Sequence, residues 1–552
     1  MINWIESIYS DTSLEFVNNP APSIGNKIMI SIRFFDDSSV KNAFVVKMVN
    51  GAESYIEMKK TSKRLGKLVY YAAEIEVTEP RLSYHFVIGC DDVIYYYTQA
   101  GVTTYVPDNA DNFVILADFV QPEWVNDAVF YQIFPAAFGG LSGVIDRIPY
   151  LKSLGVNAIY LNPIFSGPSN HKYDCVDYFH VDEDFGGDEA LAELSKKLHE
   201  NDMKLILDIS INHTGIEYPW VKEKRHFYFK KEDGSLEGWA GFDGLPVLDY
   251  RNEELRDIIY RGKDSVLRKW LNPPYNIDGW RFDVADVFAR HNDVQLSDEI
   301  WREVCDAIRE ENPKAFIIGE HWGSCDEYLQ GDLWNTPMNY YGYGRIIRQF
   351  LGLPELFTSR CEKLAGIPYK MTAEDVVERT REHYRHLPGV IARSQMNLYD
   401  SHDVPRIHNY EGFGFNKVKM AVISELMWTG IPCVYYGDEL GIDGYTHHDS
   451  GFRFDMPVKL PQNSGENEYY DLYKWMIDLR RNEPVFACGG RKVIYVKDYI
   501  IAVARFFGDK AYVGVLSMEK EPKHVILPLE GLGFEDIAID IAPESGKLIE
   551  IA

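Results

Sequence analysis

From Trp124 to about residue 440 the chain keeps one rhythm, in which a short and almost wholly apolar run gives way to a stretch with helical spacing. The apolar runs are AVFYQIF, NAIYLNP, KLILDIS, IDGWRFD, AFIIGE, QMNLYD and IPCVYYGDE, and an eighth fits near TPMNY at 336–340. Strands buried on both faces read as continuous apolar runs, as parallel strands do, whereas half-exposed strands alternate. Between the second and third runs, ALAELSKKLHEN places Leu191, Leu194 and Leu198 at steps of three and four, which predicts one apolar helical face. Before the fourth run, Ile259, Val266 and Trp270 follow steps of seven and four. Eight strand–helix units predict an α/β fold, a (β/α)₈ barrel.

Both flanks read differently. IMISIRFF, AFVVKMV, LVYYAAEIEV, LSYHFVIG and VIYYYT precede the barrel, separated by turn residues, and RKVIYVKD, YIIAVARFF, KAYVGVLSM and KHVILPL follow it. Short β-branched and aromatic runs without intervening helices predict β-sandwich domains. The expected division is an N-terminal β-sandwich over 1–122, a catalytic barrel over 123–488 and a C-terminal β-sandwich over 489–552. The stretch from His213 to about Asp257 is long for a strand-to-helix loop, and its aromatic, charged and glycine-rich content predicts an inserted subdomain overhanging the barrel.

In such barrels the chemistry sits at the C-terminal ends of the strands, and here those ends are polar. KLILD ends in Asp208, followed by Asn212 and His213; IDGWRFD carries Arg281 and Asp283; AFIIGE ends in Glu320; QMNLYDSHD carries His402 and Asp403. One acid closing an apolar strand is more often an ion-paired core residue. Four strands ending this way point to one polar site at the barrel mouth, because each charge needs a partner or a wet cleft. Asp283 and Glu320 close the fourth and fifth strands, and strands lie about 4.8 Å apart. That gap suits the roughly 5–5.5 Å between the two carboxyls of a retaining glycoside hydrolase. Arg281, two residues before Asp283, points to the same face, which predicts an ionised Asp283, while neighbouring carboxylates favour a protonated Glu320.

The balance of charges limits partners. Lys and Arg number 57 against 84 Asp and Glu, a net charge of −27. Such a surface repels phosphate backbones and anionic lipid, so no nucleic acid and no membrane partner is expected. Seven scattered cysteines without a CxxC pair, and a first segment, MINWIESIYSDTS, with acids and no basic start, predict a cytoplasmic location. No HxH closes the first strand, which counts against a metal-dependent barrel hydrolase.

DISINH, GWRFD, IIGEHW and YDSHD, with DAVFYQIFP, GIPCVYYGDE and NPIFSGPSNHKYDCVDYF, resemble the conserved segments of the α-amylase family of glycoside hydrolases over essentially the whole chain. Within it, GEHWG, MNYYG and LPVLDY look most like the neopullulanase, cyclomaltodextrinase and maltodextrin glucosidase group. The resemblance implies Asp283 as nucleophile, Glu320 as acid/base and Asp403 as a third carboxylate gripping sugar hydroxyls. It places Asp208, His213, Arg281 and His402 around the cleaved sugar, Tyr173 stacked on its ring and His171 beside it. It implies retaining hydrolysis of α-glucosidic, mainly α-1,4, bonds in maltodextrins or cyclomaltodextrins, releasing glucose or maltose. An α-1,6-acting or transglycosylating enzyme is the alternative, and a non-catalytic relative is disfavoured by the presence of all three carboxylates. The group also implies a possible homodimer and no cofactor. Three departures stand out. FPAAFGG lacks the Asp, Arg and Asn of the usual FPDRFANG run, which counts against the structural calcium that the family otherwise allows there, and no metal ligand is assigned; Val247 replaces a frequent Lys; and VADVF follows the nucleophile where relatives often have VANE. Trp239 and Phe242 are open to two readings, sugar platforms or ordinary packing.

Overall fold

The computed structural model describes residues 3–364, 367, 370–442 and 453–551. Eight short parallel strands form its centre: β1 (Phe130–Ile133), β2 (Ala158–Leu161), β3 (Lys204–Ile209), β4 (Gly279–Phe282), β5 (Phe316–Gly319), β6 (Thr336–Pro337), β7 (Met396–Asn397) and β8 (Ile431–Tyr435). They follow one another in chain order around one sheet. β1 pairs with both β2 and β8, and a parallel bridge from Met338 to Met396 joins β6 to β7, so the sheet closes into a barrel. The expected eighth strand is β6. It is two residues long because Pro337 lacks an N–H for the ladder, and Met396 N–H instead finds the Thr336 hydroxyl at 2.7 Å.

Strand alternation separates two cores. Phe130, Ala158, Tyr160, Ile206, Phe316, Ile318, Met338 and Met396 point inward and fill the barrel. Ile159, Leu205, Leu207, Trp280, Phe282 and Ile317 point outward against the helices. Gly279 is the position where the inner filling requires glycine: a Cβ there would lie 2.0 Å from the Phe316 carbonyl oxygen. The predicted helix spans Gly187–Glu200 and buries Leu191, Leu194 and Leu198 completely. Truncating one of them to alanine would cost about 2–5 kcal/mol. The second predicted helical stretch is broken. Ile259 lies in a π-helical turn, Asp257–Arg261, while Val266 and Trp270 lie in a separate helix, Val266–Leu271.

The N-terminal strands build two facing sheets over a shared core. In Lys27–Phe35, Ile28, Ile30, Ile32 and Phe34 turn inward toward Val45, Tyr84, Phe86 and Ile88 of the other sheet. The sequence reading missed Ala52–Glu57 and Lys59–Leu65, whose polar and charged residues mark edge strands. After the barrel, Gly490–Lys497, Ile500–Phe507, Lys510–Ser517 and Ser545–Glu550 form one sheet, with Lys523–Leu527 and Ile537–Ile541 as a second pair. The N-terminal sandwich is tied to the barrel by side chains: Arg81 Nη2 reaches Gln330 Oε1 at 2.9 Å, and Gln99 Nε2 reaches the Arg385 carbonyl at 3.0 Å.

Candidate active site

The strand register sets the site. Asp208 on β3 pairs with Arg281 on β4, and Phe282 pairs with Gly319 on β5. The ladder continues one step further, with Asp283 N–H on the Ile209 carbonyl and Glu320 N–H on the Phe282 carbonyl, both at 2.9 Å. Asp208, Arg281, Asp283 and Glu320 therefore all project into the barrel mouth from adjacent strands.

Arg281 is fully buried and lies within 2.8 Å of Asp208 Oδ1, 3.1 Å of Asp283 Oδ1 and 2.9 Å of Glu320 Oε2. One cation faces three carboxylates, and Asp403 stands next to them. Excess negative charge out of water is relieved by proton uptake. Burial, then the charge of Glu320, pushes Asp283 well above the usual carboxylate range. Burial acts on Glu320 too, but the charge of Arg281 and the N–H groups of Val284 (2.8 Å) and Trp322 (2.9 Å) outweigh it and hold Glu320 below its ordinary value. The pair shares a hydrogen bond. This reverses the proton order expected from sequence: Glu320 accepts from two N–H groups and faces Arg281 at 2.9 Å, while Asp283 accepts from Arg281 alone, so the shared proton rests on Asp283.

Val284 carries a further mark of function. It is β-branched yet has φ +51°, a conformation that costs on the order of 1–3 kcal/mol and persists only where its surroundings enforce it. Here the N–H that it turns toward Glu320 is the enforcing contact.

The remaining predicted residues assemble beside this core. Asp208 accepts hydrogen bonds from the hydroxyls of Tyr160 and Tyr173, each at 2.8 Å. The Tyr173 ring stacks on His402, with centroids 5.6 Å apart and an interplanar angle of 18°. Gln132 Nε2 donates to His402 Nδ1 at 2.7 Å, so Nε2 carries the imidazole proton and directs it to the Tyr173 hydroxyl, 2.6 Å away. Burial, then Arg453 and Arg281, keeps His402 neutral, well below its usual value. Asp403 lies 3.2 Å from His402 Nε2 and 3.9 Å from Arg453, and burial together with the Glu320 charge raises it to about 7. Burial takes His213 down to about 4. His171 sits beside Tyr173 with ring centroids 5.8 Å apart. All nine predicted residues thus converge.

Sequence reasoning missed Gln132, Tyr160, Asn162, Trp322, Tyr340 and Arg453. The first three alternate along β1 and β2 as polar groups inside apolar runs, which was a readable signal. Trp322 lies flat on Tyr340, centroids 3.8 Å apart at 4°, and walls the Glu320 side. Among the described residues no group of three or more His, Cys, Asp or Glu is arranged to hold a metal ion. No helix there is long and apolar enough to cross a membrane.

The description "Alpha amylase, catalytic domain" matches residues 125–240 and 239–475. The chain belongs to the α-amylase family. It is therefore a glycoside hydrolase that cleaves α-glucosidic bonds. A cyclomaltodextrinase of Geobacillus thermopakistaniensis is 28% identical over 528 residues, covering 86% of this chain and 84% of that protein. An intracellular maltogenic amylase of Bacillus subtilis is 30% identical over 511 residues, covering 83% and 81%. A solved cyclomaltodextrinase shares the fold with a TM-score of 0.70, at 23% identity, over 98% of this chain and 99% of that one.

Proposed function

We propose that the enzyme cuts maltodextrins or cyclomaltodextrins, mainly at α-1,4 bonds, with retention, releasing glucose or maltose, and that it does so in the cytoplasm. The observation that carries retention is the direct contact of Asp283 with Glu320, since an inverting pair needs about 6.5–9.5 Å for an intervening water. Asp283 attacks the anomeric carbon as the bond to the leaving oxygen breaks. Glu320 delivers its proton to that oxygen, then takes one from the water that displaces Asp283. The proton reaches Glu320 across the hydrogen bond already joining the two carboxyls. Asp403, His402 and Arg281 grip the distorted sugar, Tyr173 stacks on it, and Asp208, His171 and His213 complete the pocket.

The substrate reading is supported by relatives named cyclomaltodextrinase and maltogenic amylase. A second reading, α-1,6 cleavage, draws on relatives named amylopullulanase. We further propose the division 1–122, 123–488 and 489–552, and a homodimer in which the N-terminal domain narrows the cleft. Chromatography of products from maltoheptaose, pullulan and β-cyclodextrin tests the substrate reading. Cyclodextrin and maltoheptaose turnover is expected, and exclusive cleavage of pullulan would replace it with the second. NMR at early times should find the α anomer first; an initial β product would refute retention.

A further inference from the structure

The barrel and the C-terminal sheet meet at a cleft of about 360 Å³ that shares no residue with the active site. The barrel supplies Gln349 and Phe350, at the end of the helix Arg345–Phe350, and Met371. The C-terminal domain supplies Tyr499, in the turn between Gly490–Lys497 and Ile500–Phe507, and Met518, just past Lys510–Ser517. Main-chain bonds hold these pieces together. Met518 N–H donates to the Tyr499 carbonyl at 2.9 Å, and Ala373 N–H donates to the Asp498 carbonyl at 2.8 Å. The cleft is thus part of the fold, and its volume lies within the roughly 300–1,000 Å³ of small-molecule sites.

Gln349 is the residue that points to a ligand. It is only 7% exposed, yet its carboxamide makes no hydrogen bond among the described residues. A buried polar group without a partner costs about 1–3 kcal/mol. The carboxamide is not sealed in, because the fully enclosed unpartnered atoms belong to other side chains, Tyr84, Ser195 and Trp301 among them. What exposure Gln349 keeps opens on the cleft that it lines.

Gln395, elsewhere in the barrel and wholly buried, shows what a purely structural glutamine looks like in this protein. Its Nε2 donates to the Ile391 carbonyl at 3.0 Å, and its Oε1 lies 3.2 Å from His383 Nε2. Gln349 has neither bond. Around it the cleft offers the Tyr499 ring and the apolar side chains of Phe350, Met371 and Met518, each at most 9% exposed. The charges that border the cleft cancel, Lys370 and Lys520 against Glu519 and Glu521. Lys520 already pairs with Glu544, and Glu519 with Lys523 at 3.1 Å, so the lining does not call for an ion. It suits a neutral molecule with adjacent hydroxyls on one edge and an apolar C–H face, which describes a sugar ring.

We propose that this cleft is a second saccharide site, which binds one or two glucose units apart from the barrel mouth. The Gln349 carboxamide donates to one sugar hydroxyl and accepts from its neighbour, and the C–H face of the ring lies on Tyr499. A saccharide held there touches the barrel and the C-terminal domain at once. The probe is maltose, a short sugar that carries the α-glucosidic bond on which the family acts.

Equilibrium dialysis of labelled maltose against the full chain carrying Asp283→Asn, which cannot consume it, tests this. Two equivalents are expected, one at the barrel mouth and one in the cleft. Adding Gln349→Leu, which keeps the side-chain volume and removes only the hydrogen-bonding groups, should weaken one equivalent at least about tenfold and leave the other unchanged. With Asp283 intact, Gln349→Leu should cut an aryl α-glucoside at the wild-type rate. Tyr499→Ala, in a surface turn, serves as the second variant should Gln349→Leu not fold. Fewer than two equivalents, or two that neither variant weakens, would overturn the site. Equal weakening of both equivalents by Gln349→Leu would also overturn it, since Gln349 would then support the barrel and not a ligand.

Discussion

At the barrel mouth Arg281 faces Asp208, Asp283 and Glu320, with Asp403 alongside. A second group of buried charges, its carboxylates just past β7 and β8 and Arg348 on the helix Arg345–Phe350, is built differently. There Arg348 pairs with Asp400 at 2.8 Å and Arg406 with Asp438 at 2.5 Å, one cation to one carboxylate. Asp400 also accepts Ile407 N–H at 2.9 Å, and Arg348 donates to the Tyr399 carbonyl at 2.9 Å. The balanced group holds loops in place. The unbalanced one crowds like charges around a single cation, which a fold would discard unless the chemistry required them. Burial alone does not separate function from structure here; the ratio of cations to carboxylates does.

The sharpest way to break this comparison is to remove one carboxylate from each group. Asp283→Asn should lower turnover of maltoheptaose by roughly 10⁴-fold or more, with no loss of thermal stability, because a protonated Asp283 and a neutral amide place the same charge beside Glu320. Wild-type turnover, or a large fall in melting temperature, would mean that Asp283 belongs with the structural pairs. Asp400→Asn leaves the Arg348 charge buried without its partner. It should destabilise the barrel by about 3–5 kcal/mol, read as a lower denaturation midpoint, while the kcat of the folded fraction stays near wild type.

A smaller effect concerns pH. Asp403 has a folded value of about 7, above the roughly 3.9 of an unfolded aspartate. Between those values the folded state holds a proton that the unfolded state has released. Asp403 therefore stabilises most below pH 4, and its contribution is lost as pH rises toward 7. Asn is neutral throughout, so the melting temperature of Asp403→Asn should decline less than wild type over pH 5–7. Glu439, also raised to about 7 by burial, is present in both proteins and cancels in the difference. Parallel curves would show that Asp403 is not held protonated.

How legible this was in the sequence follows from what each feature depends on. The barrel and the polar residues at its strand ends, Asp208, His213, Arg281, Asp283, Glu320, His402 and Asp403, could be read because period and strand-end position are local properties, whereas His171 and Tyr173 in the loop after β2 came from the family resemblance alone. The proton order on Asp283 and Glu320 could not, since it depends on Val284 N–H and the Trp322 indole, and on a backbone turn at φ +51° that no propensity predicts for valine. The edge strand Lys59–Leu65 was hidden because its composition protects an edge rather than filling a core. Gln132 and Asn162 were overlooked as single polar residues in apolar runs, although their alternation puts them inside the mouth.

The smallest effect sharpens the boundary of the unbalanced region. Trp239 stacks on His213, with centroids 5.3 Å apart and planes at 19°, and Phe242 follows at 6.3 Å and 28°. Phe242 is 62% exposed, which suits a surface that meets a ligand better than one that packs a core. Ala240 between them takes φ +50°, a turn that aligns both rings with the imidazole. The line of rings leads from the mouth into the overhanging segment, so we expect it to support glucose units beyond the cleaved bond. Trp239→Ala should then lower kcat/KM on maltoheptaose roughly fivefold, about 1 kcal/mol for one lost ring face. An aryl α-glucoside, too short to reach Trp239, should be cut at the wild-type rate. Equal losses on both substrates would make Trp239 a support for His213 rather than a platform, and the functional region would end at His213.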